Sequence, residues 1–285
     1  MVRNAEMVKN RAIMVLGMHH SGTSVIARSL AVFNVYLGDD LMPSQPDHPS
    51  GFWEDNRITA TNDRFLAAVG FSWRKPGLDC ARMKEYSAYQ QTVRLIAHDV
   101  RTSFSHVPLW GFKDPRTCRL IPLWKDVFRL LRTQCGYIIV VRHPHSVAES
   151  LRAKYGMRLD LGYKLWLEHM MAAVHETRRN RRVFVSYDRM LDNPRHELRR
   201  EAKALGLHSS QLKSNSAKAF IESFLDLHLR HRRYERGEYF PSTVRLGCHM
   251  QAFSLLDAMA ADAISQTAFR RRWNNLFRCG RPHER

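Results

Sequence analysis

The stretch Ala12-Ile13-Met14-Val15-Leu16-Gly17-Met18-His19-His20-Ser21-Gly22-Thr23-Ser24 decides the fold of this 285-residue chain. Its first five residues form an apolar run of strand length, and two glycines then bound a polar loop. The apolar residues that follow recur at helical spacing. The stretch therefore predicts a strand, a phosphate-binding loop and a helix, because loop amides and a helix N-terminus together suit an anion.

The loop spacing is close to that of nucleotide-binding loops of the form G-x-x-x-x-G-K-[ST]. Thr23, however, stands where these loops carry their lysine. A loop of this kind predicts that a phosphate group is bound, but without the triphosphate and magnesium arrangement of an NTPase.

Further apolar runs at 109–113, 136–141 and 183–187 alternate with helical patterns, one of which covers 81–103. The run at 136–141 is continuous and rich in β-branched residues, as buried parallel strands are. We predict an α/β fold of the three-layer, P-loop-like kind, with a central parallel sheet flanked by helices. Polar residues follow several of these runs, at the strand ends where such sheets bind ligands.

The chain is predicted to have three parts. They are an N-terminal tail over 1–11, an α/β domain over 12–265 and a basic amphipathic C-terminal tail over 266–285. The C-terminal tail could touch an acidic membrane surface, although a terminal helix packed on the domain is the simpler interpretation.

The charge balance is strongly basic, since 45 Lys and Arg face 27 Asp and Glu for a formal net charge of +18. Such a field attracts anionic partners, although a general arginine bias in composition would give the same positive surface without a function. The five cysteines are scattered without a C-x-x-C pair, which favours a reducing compartment and indicates neither a disulfide framework nor a zinc site. No apolar run reaches membrane-spanning length. We therefore expect a cytoplasmic protein without a transmembrane segment and without a metal.

Three motifs together resemble those of the sulfotransferases that use 3′-phosphoadenylyl sulfate (PAPS), especially the bacterial and carbohydrate-acting branches. The loop over 17–24 is similar to the family's 5′-phosphosulfate loop with its Ser-Gly-Thr core. The segment 140–150 is similar to the 3′-phosphate motif, in which a strand ends in Arg-x-Pro and a serine follows eight residues after the arginine. The segment 111–116 matches a strand-end motif of the same branch, and the resemblance extends over about residues 12–205.

The resemblance implies that PAPS is the donor. The phosphosulfate of PAPS would be bound by the loop residues Gly17, His19, His20, Ser21, Gly22, Thr23 and Ser24. The 3′-phosphate would be bound by a separate pair, Arg142 and Ser150. Arg232 and Arg233 fall in a basic run where these enzymes often close over the 3′-phosphate, although a solvated helix face explains the same run.

One position departs from the family pattern. The family usually places Lys or Arg immediately before Ser-Gly-Thr, where the cation neutralises the bridging oxygen as sulfate leaves, and this chain has His20 there. We predict that a protonated His20 takes this role, because adjacent anions favour the charged form of a histidine. Lys113 or Arg28 is the alternative source of positive charge.

Glu54 is the candidate general base, because in the carbohydrate-acting branch a glutamate follows the loop by some thirty residues. Alternatively, Glu54 or Asp55 only begins a helix at 56, where acidic residues suit the helix dipole. His48 and Asp114 are reserve candidates for the base.

Acceptor binding is assigned to residues near the candidate base and to the strand-end motif, namely Phe52, Trp53, Asp114 and Arg116. An internal Asp–Arg pair is the alternative for the last two. The long loop over 39–55, Phe71, Trp73 and the helix over 81–103 are expected to shape the acceptor pocket.

The predicted function is in-line transfer of a sulfuryl group from PAPS to an acceptor hydroxyl, on a small molecule or glycan and most simply a carbohydrate or glycoconjugate. We expect no specific nucleic-acid partner. Two alternatives remain open at this point: a P-loop small-molecule kinase, and a non-catalytic protein that binds anions or nucleic acid.

Overall fold

A computed structural model describes residues 10–46, 51–225 and 247–278 of the chain. Three candidate residues, His48, Arg232 and Arg233, lie outside these described ranges.

Four strands form one parallel sheet in the order β2-β1-β3-β4. They are β1 (Arg11–Leu16), β2 (Leu109–Lys113), β3 (Gln134–Val141) and β4 (Arg182–Ser186). Their sequences are short, apolar and almost fully buried, as expected for strands covered on both faces. The predicted α/β fold with a central parallel sheet is confirmed.

Helices flank the sheet and complete the architecture. In chain order they are α1 (Thr23–Ser29), α2 (Asn56–Ala68), α3 (Tyr89–Phe104), α4 (Thr117–Leu130), α5 (Pro144–Tyr155), α6 (Leu159–Glu176), α7 (Tyr187–Asp192), α8 (Pro194–Leu205), α9 (Asn215–Ala219), α10 (Gly247–Ala260) and α11 (Gln266–Arg278). Shorter 3₁₀ segments cover Leu30–Phe33, Cys80–Glu85 and Ser209–Lys213, and a π-helical turn covers Phe220–Phe224.

Two hydrophobic cores lie on opposite faces of the sheet, because successive side chains of a strand point in opposite directions. Ala12, Met14 and Leu16 of β1 pack into the larger core, with α2 to α6 and α10. Ile13 and Val15 pack into the second core, with α1 and α8. This alternation explains why the apolar run of β1 is unbroken and produces the three-layer arrangement.

The prediction of one helix over 81–103 is wrong. A 3₁₀ segment ends at Glu85, Tyr86 takes an extended backbone with ψ 134°, and α3 begins only at Tyr89. Met83 and Tyr89 both have buried side chains in the larger core. Residues six apart on a continuous helix point about 120° away from each other, so the break allows both to face the core.

The described part of the basic C-terminal segment is α11. Its Phe269 and Trp273 side chains are buried in the larger core, and they stack with their ring centroids 5.3 Å apart. Among the described residues, no helix combines the length and apolarity needed to cross a membrane.

All four strands are parallel, so their C-terminal ends meet at one edge of the sheet. At this edge β1 leads into Gly17 and its loop, β2 into Asp114, β3 into Arg142 and β4 into Tyr187. The topology thus gathers motifs that are more than 100 residues apart in the sequence.

Candidate active site

A cleft of about 540 Å³ opens at this edge of the sheet. Most of the predicted site residues of the described chain line it: His19, His20, Gly22, Thr23, Ser24, Phe52, Glu54, Arg116, Arg142 and Ser150. Lys113, the alternative cation of the sequence analysis, and Trp73 line it as well. Phe71 and α3 contribute no lining residue.

The loop backbone is shaped to leave its amides available. His20 has φ +64° and Gly22 φ +81°, so the chain reverses through left-handed conformations before α1 begins at Thr23. Gly22 is the N-cap of α1, and no described side chain caps its first-turn amides. Ser21 Oγ is buried without a hydrogen-bond partner among the described residues. Unmatched donors of this kind fit an anionic ligand, because buried polar groups normally have partners.

Tyr187, which the sequence analysis missed, supports the loop from β4. A Cβ atom on Gly22 would lie 2.0 Å from the Tyr187 ring, so only glycine fits against it. The guanidinium carbon of Arg142 lies 4.6 Å from the centroid of the same ring. Tyr187 therefore fixes the spacing between the loop and Arg142, a role that only the folded sheet reveals.

His20 joins the loop to the second motif. Arg142 Nη1 donates to the His20 carbonyl at 2.7 Å, and Ser150 Oγ lies 2.8 Å from His20 Nδ1. Ser150 lies on α5, two turns after Arg142, so both residues reach the same point. The two motifs form one continuous polar surface along the cleft.

His19 has a different environment. Burial, followed by the charges of Arg116 and other neighbours, holds its pKa well below the usual value, so its ring is neutral at physiological pH. Its ring stacks on Trp73 with the centroids 4.1 Å apart and the planes at 24°. This geometry makes the side chain of His19 part of an aromatic surface, while its backbone remains in the loop.

Glu54 lies in the cleft at the centre of a cationic cluster. The residue is 6% exposed, and its carboxylate accepts a hydrogen bond from Lys113 Nζ at 2.5 Å and lies 3.6 Å from Arg116 Nη1. Burial raises the pKa of Glu54, and the charge of Lys113 opposes this rise only in part. A buried carboxylate of raised pKa beside a phosphate-binding loop is suited to accept a proton.

The sequence left open whether Glu54 or Asp55 only begins the helix at 56. Asp55 has this role, and Glu54 does not. Asp55 is the N-cap of α2, and its carboxylate accepts from the amides of Arg57 and Ile58, each at 3.0 Å. Glu54 therefore keeps its side chain for the cleft.

Asp114 and Arg116 form the internal ion pair that the sequence analysis considered, at 2.8 Å. Asp114 is fully buried and also accepts from Asn62 Nδ2 at 2.8 Å. Arg116 donates to Asp63 at 2.6 Å and still lines the cleft. Asp114 is therefore placed behind the cleft, as a residue that holds Arg116 in position.

Trp53 and Arg28 pack together away from the cleft lining. Trp53 has φ +57°, and the Arg28 guanidinium carbon lies 5.1 Å from the centroid of its ring. Neither residue lines the cleft. Phe52 does, and its carbonyl accepts from Ser24 Oγ at 3.1 Å, which ties this segment to α1.

Gly17 lies at the base of the loop, where the chain has no room for a side chain. A Cβ atom there would lie 2.6 Å from Thr23 Cγ2 and 3.2 Å from Val140 Cβ. Gly17 thus permits the close approach of the loop to β3 and contributes no group to the cleft.

The described residues contain no group of three or more His, Cys, Asp or Glu side chains arranged to hold a metal ion.

A model of the Sulfotransferase family matches residues 12–211. The fold is similar to a solved sulfotransferase domain from the Synechococcus PCC 7002 olefin synthase, with TM-score 0.52 and 17% identity over 90% of this chain and 96% of that domain. A sulfotransferase domain from the curacin biosynthetic pathway gives TM-score 0.40 and 16% identity over 70% of this chain and 75% of that chain. No curated protein matches the sequence.

The family match spans well over half of the chain and includes both the loop over 17–24 and the segment 140–150. The chain therefore belongs to the sulfotransferase family, whose members transfer sulfuryl groups. The resemblance noted in the sequence is confirmed.

Proposed function

We propose that the protein transfers the sulfuryl group of PAPS to an acceptor hydroxyl. The observation that carries the proposal is the meeting of two anion-binding motifs at His20, through Arg142 at 2.7 Å and Ser150 at 2.8 Å. A donor with a 5′-phosphosulfate and a separate 3′-phosphate requires two such motifs along one cleft. A ligand with a single anionic group would need only the loop and not the second motif.

The loop residues would hold the 5′ end of the donor. Ser21, whose buried hydroxyl has no partner among the described residues, would be one donor. The amides of Thr23 and Ser24, which no described side chain caps, would be others. Arg142 offers a rigid fork to the 3′-phosphate, and Ser150 adds a hydroxyl. The residues present thus fit this donor.

His20 and Lys113 are the proposed donors to the departing oxygen, on which negative charge would develop. His20 precedes the Ser-Gly-Thr core, and Lys113 lines the same cleft with 2% of its side chain exposed. Preorganised donors of this type stabilise the transition state because they need little reorganisation during the reaction. Arg28 packs on Trp53 and does not line the cleft, so it is the least suitable of the three candidates for this role.

Glu54 is the proposed base. It would accept the proton of the acceptor hydroxyl while the hydroxyl oxygen attacks sulfur in line with the departing oxygen. Lys113 and Arg116 would hold its carboxylate in position and stabilise its charged form. Positioning and electrostatics then supply most of the rate enhancement.

A carbohydrate or glycoconjugate acceptor is our proposal for the substrate class. Phe52, Trp73 and Tyr155 line the cleft and offer flat apolar faces on which a sugar ring can stack.

The test is a titration of purified protein with adenosine 3′,5′-bisphosphate, the desulfated product, and separately with ATP plus magnesium. We expect the bisphosphate to bind and to be released from PAPS when an acceptor is present. Binding and turnover of ATP with magnesium, without bisphosphate binding, would favour a kinase and overturn the proposal.

A third outcome concerns the basic surface. Polyanion binding that falls steeply with salt, in a protein that binds neither nucleotide, would identify a non-catalytic anion-binding protein.

A further inference from the structure

One wall of the cleft consists of aromatic rings. His19 stacks on Trp73 at 4.1 Å, and Trp73 meets Tyr155 edge-on at 5.4 Å. All three residues line the cleft, and we call them the aromatic wall. The planes of Trp73 and Tyr155 are inclined at 64°, so the three rings line this part of the cleft with an angled aromatic surface.

Two cations lie over the aromatic wall. The Arg74 guanidinium carbon is 4.9 Å from the Trp73 ring centroid and 4.7 Å from that of Tyr155. Lys154 Nζ is 5.6 Å from the Tyr155 centroid and 5.8 Å from that of Phe52. Contacts with ring faces hold these charges in place.

Arg74 has no carboxylate partner among the described residues, and its side chain is exposed. Within the described lining of the cleft, Glu54 is the one carboxylate, and Lys113 already neutralises it. Arg74 is not itself a lining residue, but it contacts two rings that are, so a positive charge without a carboxylate partner among the described residues lies beside this part of the cleft.

The proposed donor does not account for this charge. Its two anionic ends are assigned to the loop and to Arg142 with Ser150, whereas Arg74 follows Trp73 on a segment separate from both motifs. The aromatic wall also continues, through Lys154 over Phe52, to the segment that carries Glu54. A ligand on this wall would therefore lie beside the proposed base, as an acceptor must.

We propose that the acceptor is anionic: a flat ring that carries both the reacting hydroxyl and a carboxylate or similar group. The ring would pack against the aromatic wall, and its anionic group would pair with Arg74 beside it. This inference rests on the proposed function and names the substrate class of the same site. A sugar acid and a hydroxylated aromatic acid share the required chemistry.

The experiment compares two pairs of probes that differ only in the charge. The sugar pair is methyl β-glucuronide and methyl β-glucoside, and the aromatic pair is 6-hydroxy-2-naphthoate and 2-naphthol. Both binding to the bisphosphate-saturated protein and kcat/KM with PAPS are measured. We expect the anionic member of at least one pair to be favoured about tenfold, the scale of one charge-assisted hydrogen bond. The pair that shows the preference identifies the type of ring.

Arg74→Gln should reduce this preference to about onefold. Lys75→Gln is the matched control, since Lys75 is an adjacent exposed cation that donates to the Gly70 carbonyl at 2.7 Å and lies over Phe71, 5.0 Å from its centroid, instead of over the aromatic wall. It should keep the preference. Equal affinities within both pairs, or a preference that survives Arg74→Gln, would overturn the inference.

Failure of the proposed function gives a different result. In that case adenosine 3′,5′-bisphosphate does not bind and PAPS is not turned over with any probe, and the inference falls with it. Bisphosphate binding together with equal probe affinities overturns the anionic acceptor alone.

Discussion

Ser150 Oγ lies 2.8 Å from His20 Nδ1, although 130 residues separate the two in the sequence. Arg142 Nη1 reaches the carbonyl of the same histidine. The loop after β1 and the motif after β3 are thus coupled at one residue. A 3′-phosphate that binds Arg142 and Ser150 would compete for both contacts, so donor binding is expected to change the hydrogen bonds of His20.

This coupling predicts different kinetic effects for His20 and Ser150. His20→Ala keeps the backbone carbonyl but removes the ring donor, so kcat should fall about a hundredfold while bisphosphate affinity changes little. Ser150→Ala should weaken bisphosphate binding about tenfold, as loss of one hydrogen bond to a charged group does. Steady-state kinetics and calorimetry separate the effects. If His20→Ala lowers affinity and leaves kcat intact, Lys113 is the better candidate for the cation.

Glu54→Gln should lower kcat by about 10² to 10⁴, the usual contribution of a general base, with bisphosphate binding retained. Glutamine still accepts a hydrogen bond from Lys113, so the fold should survive. Glu176→Gln is a matched control, because Glu176 forms a comparable pair with Lys125 at 2.8 Å. Equal activity of the Glu54 variant and this control would exclude Glu54 as the base.

The pH profile is a second readout for Glu54. Burial raises the pKa of its carboxyl above the ordinary value of 4.5, and only the ionised form accepts a proton. The kcat of the wild type should therefore fall, as pH decreases, at a pH above 4.5. The activity that remains in Glu54→Gln should lack this acid limb; an identical limb in both proteins would assign it to another group.

Gly22→Ala should destabilise the loop and abolish bisphosphate binding. The substitution places a Cβ atom 2.0 Å from the Tyr187 ring at a residue with φ +81°. Gly70→Ala is the matched control, since Gly70 has φ +76° but no atom lies within 4 Å of the position that an alanine Cβ would take there. The control should cost only the strain of the left-handed conformation, about 1–2 kcal/mol in the free energy of unfolding. Equal losses in both variants, by thermal unfolding and titration, would contradict the packing role of Tyr187.

Because Glu201 is buried, we expect the free energy of unfolding to decrease as pH rises. Burial raises the pKa of its carboxyl to about 8 in the folded protein. Ser29 Oγ lies 2.9 Å from Glu201 Oε2 and 2.7 Å from the Ile26 carbonyl. The single hydroxyl proton of Ser29 satisfies only one of them, so a protonated Glu201 that donates to Ser29 completes the network.

Between pH 4.5 and about 8 the unfolded chain loses the Glu201 proton while the folded protein keeps it. The free energy of unfolding should therefore fall by up to about 1.4 kcal/mol per pH unit in this window. Glu201→Gln should remove this part of the slope in denaturant unfolding, whereas Glu222→Gln, at an exposed helical position, should not. A slope unchanged by Glu201→Gln would show that the carboxyl is ionised in the folded protein.

The sheet and the loop could be predicted because their determinants are local. The apolar run of β1 and the glycines at 17 and 22 lie within one short stretch, and parallel strands then bring the motifs to one edge. The same reasoning placed Arg142 and Ser150 together, since Arg142 directly follows β3 and Ser150 lies on α5, the helix that begins two residues later.

Other features depend on contacts between distant segments. The pairing of Glu54 with Lys113 spans 59 residues, and no local pattern distinguishes it from a surface carboxylate. Trp53 turns away from the cleft through a left-handed backbone that is unusual for tryptophan. Tyr187 appeared only as the end of a strand, and its contact with Gly22 exists only once β4 lies beside β3.

The central claim is that the site recognises a nucleotide with a 3′-phosphate. The direct test is the ratio of dissociation constants for adenosine 5′-phosphate and adenosine 3′,5′-bisphosphate, in wild type and in Arg142→Ala. Arg152→Ala, an exposed arginine on α5 paired with Glu149, is the control. We predict that wild type and control bind the bisphosphate at least about tenfold more tightly than the 5′-phosphate, the scale of one charge-assisted hydrogen bond. Arg142→Ala should bind both nucleotides with equal affinity. Equal affinity for the two nucleotides in the wild type would contradict the account.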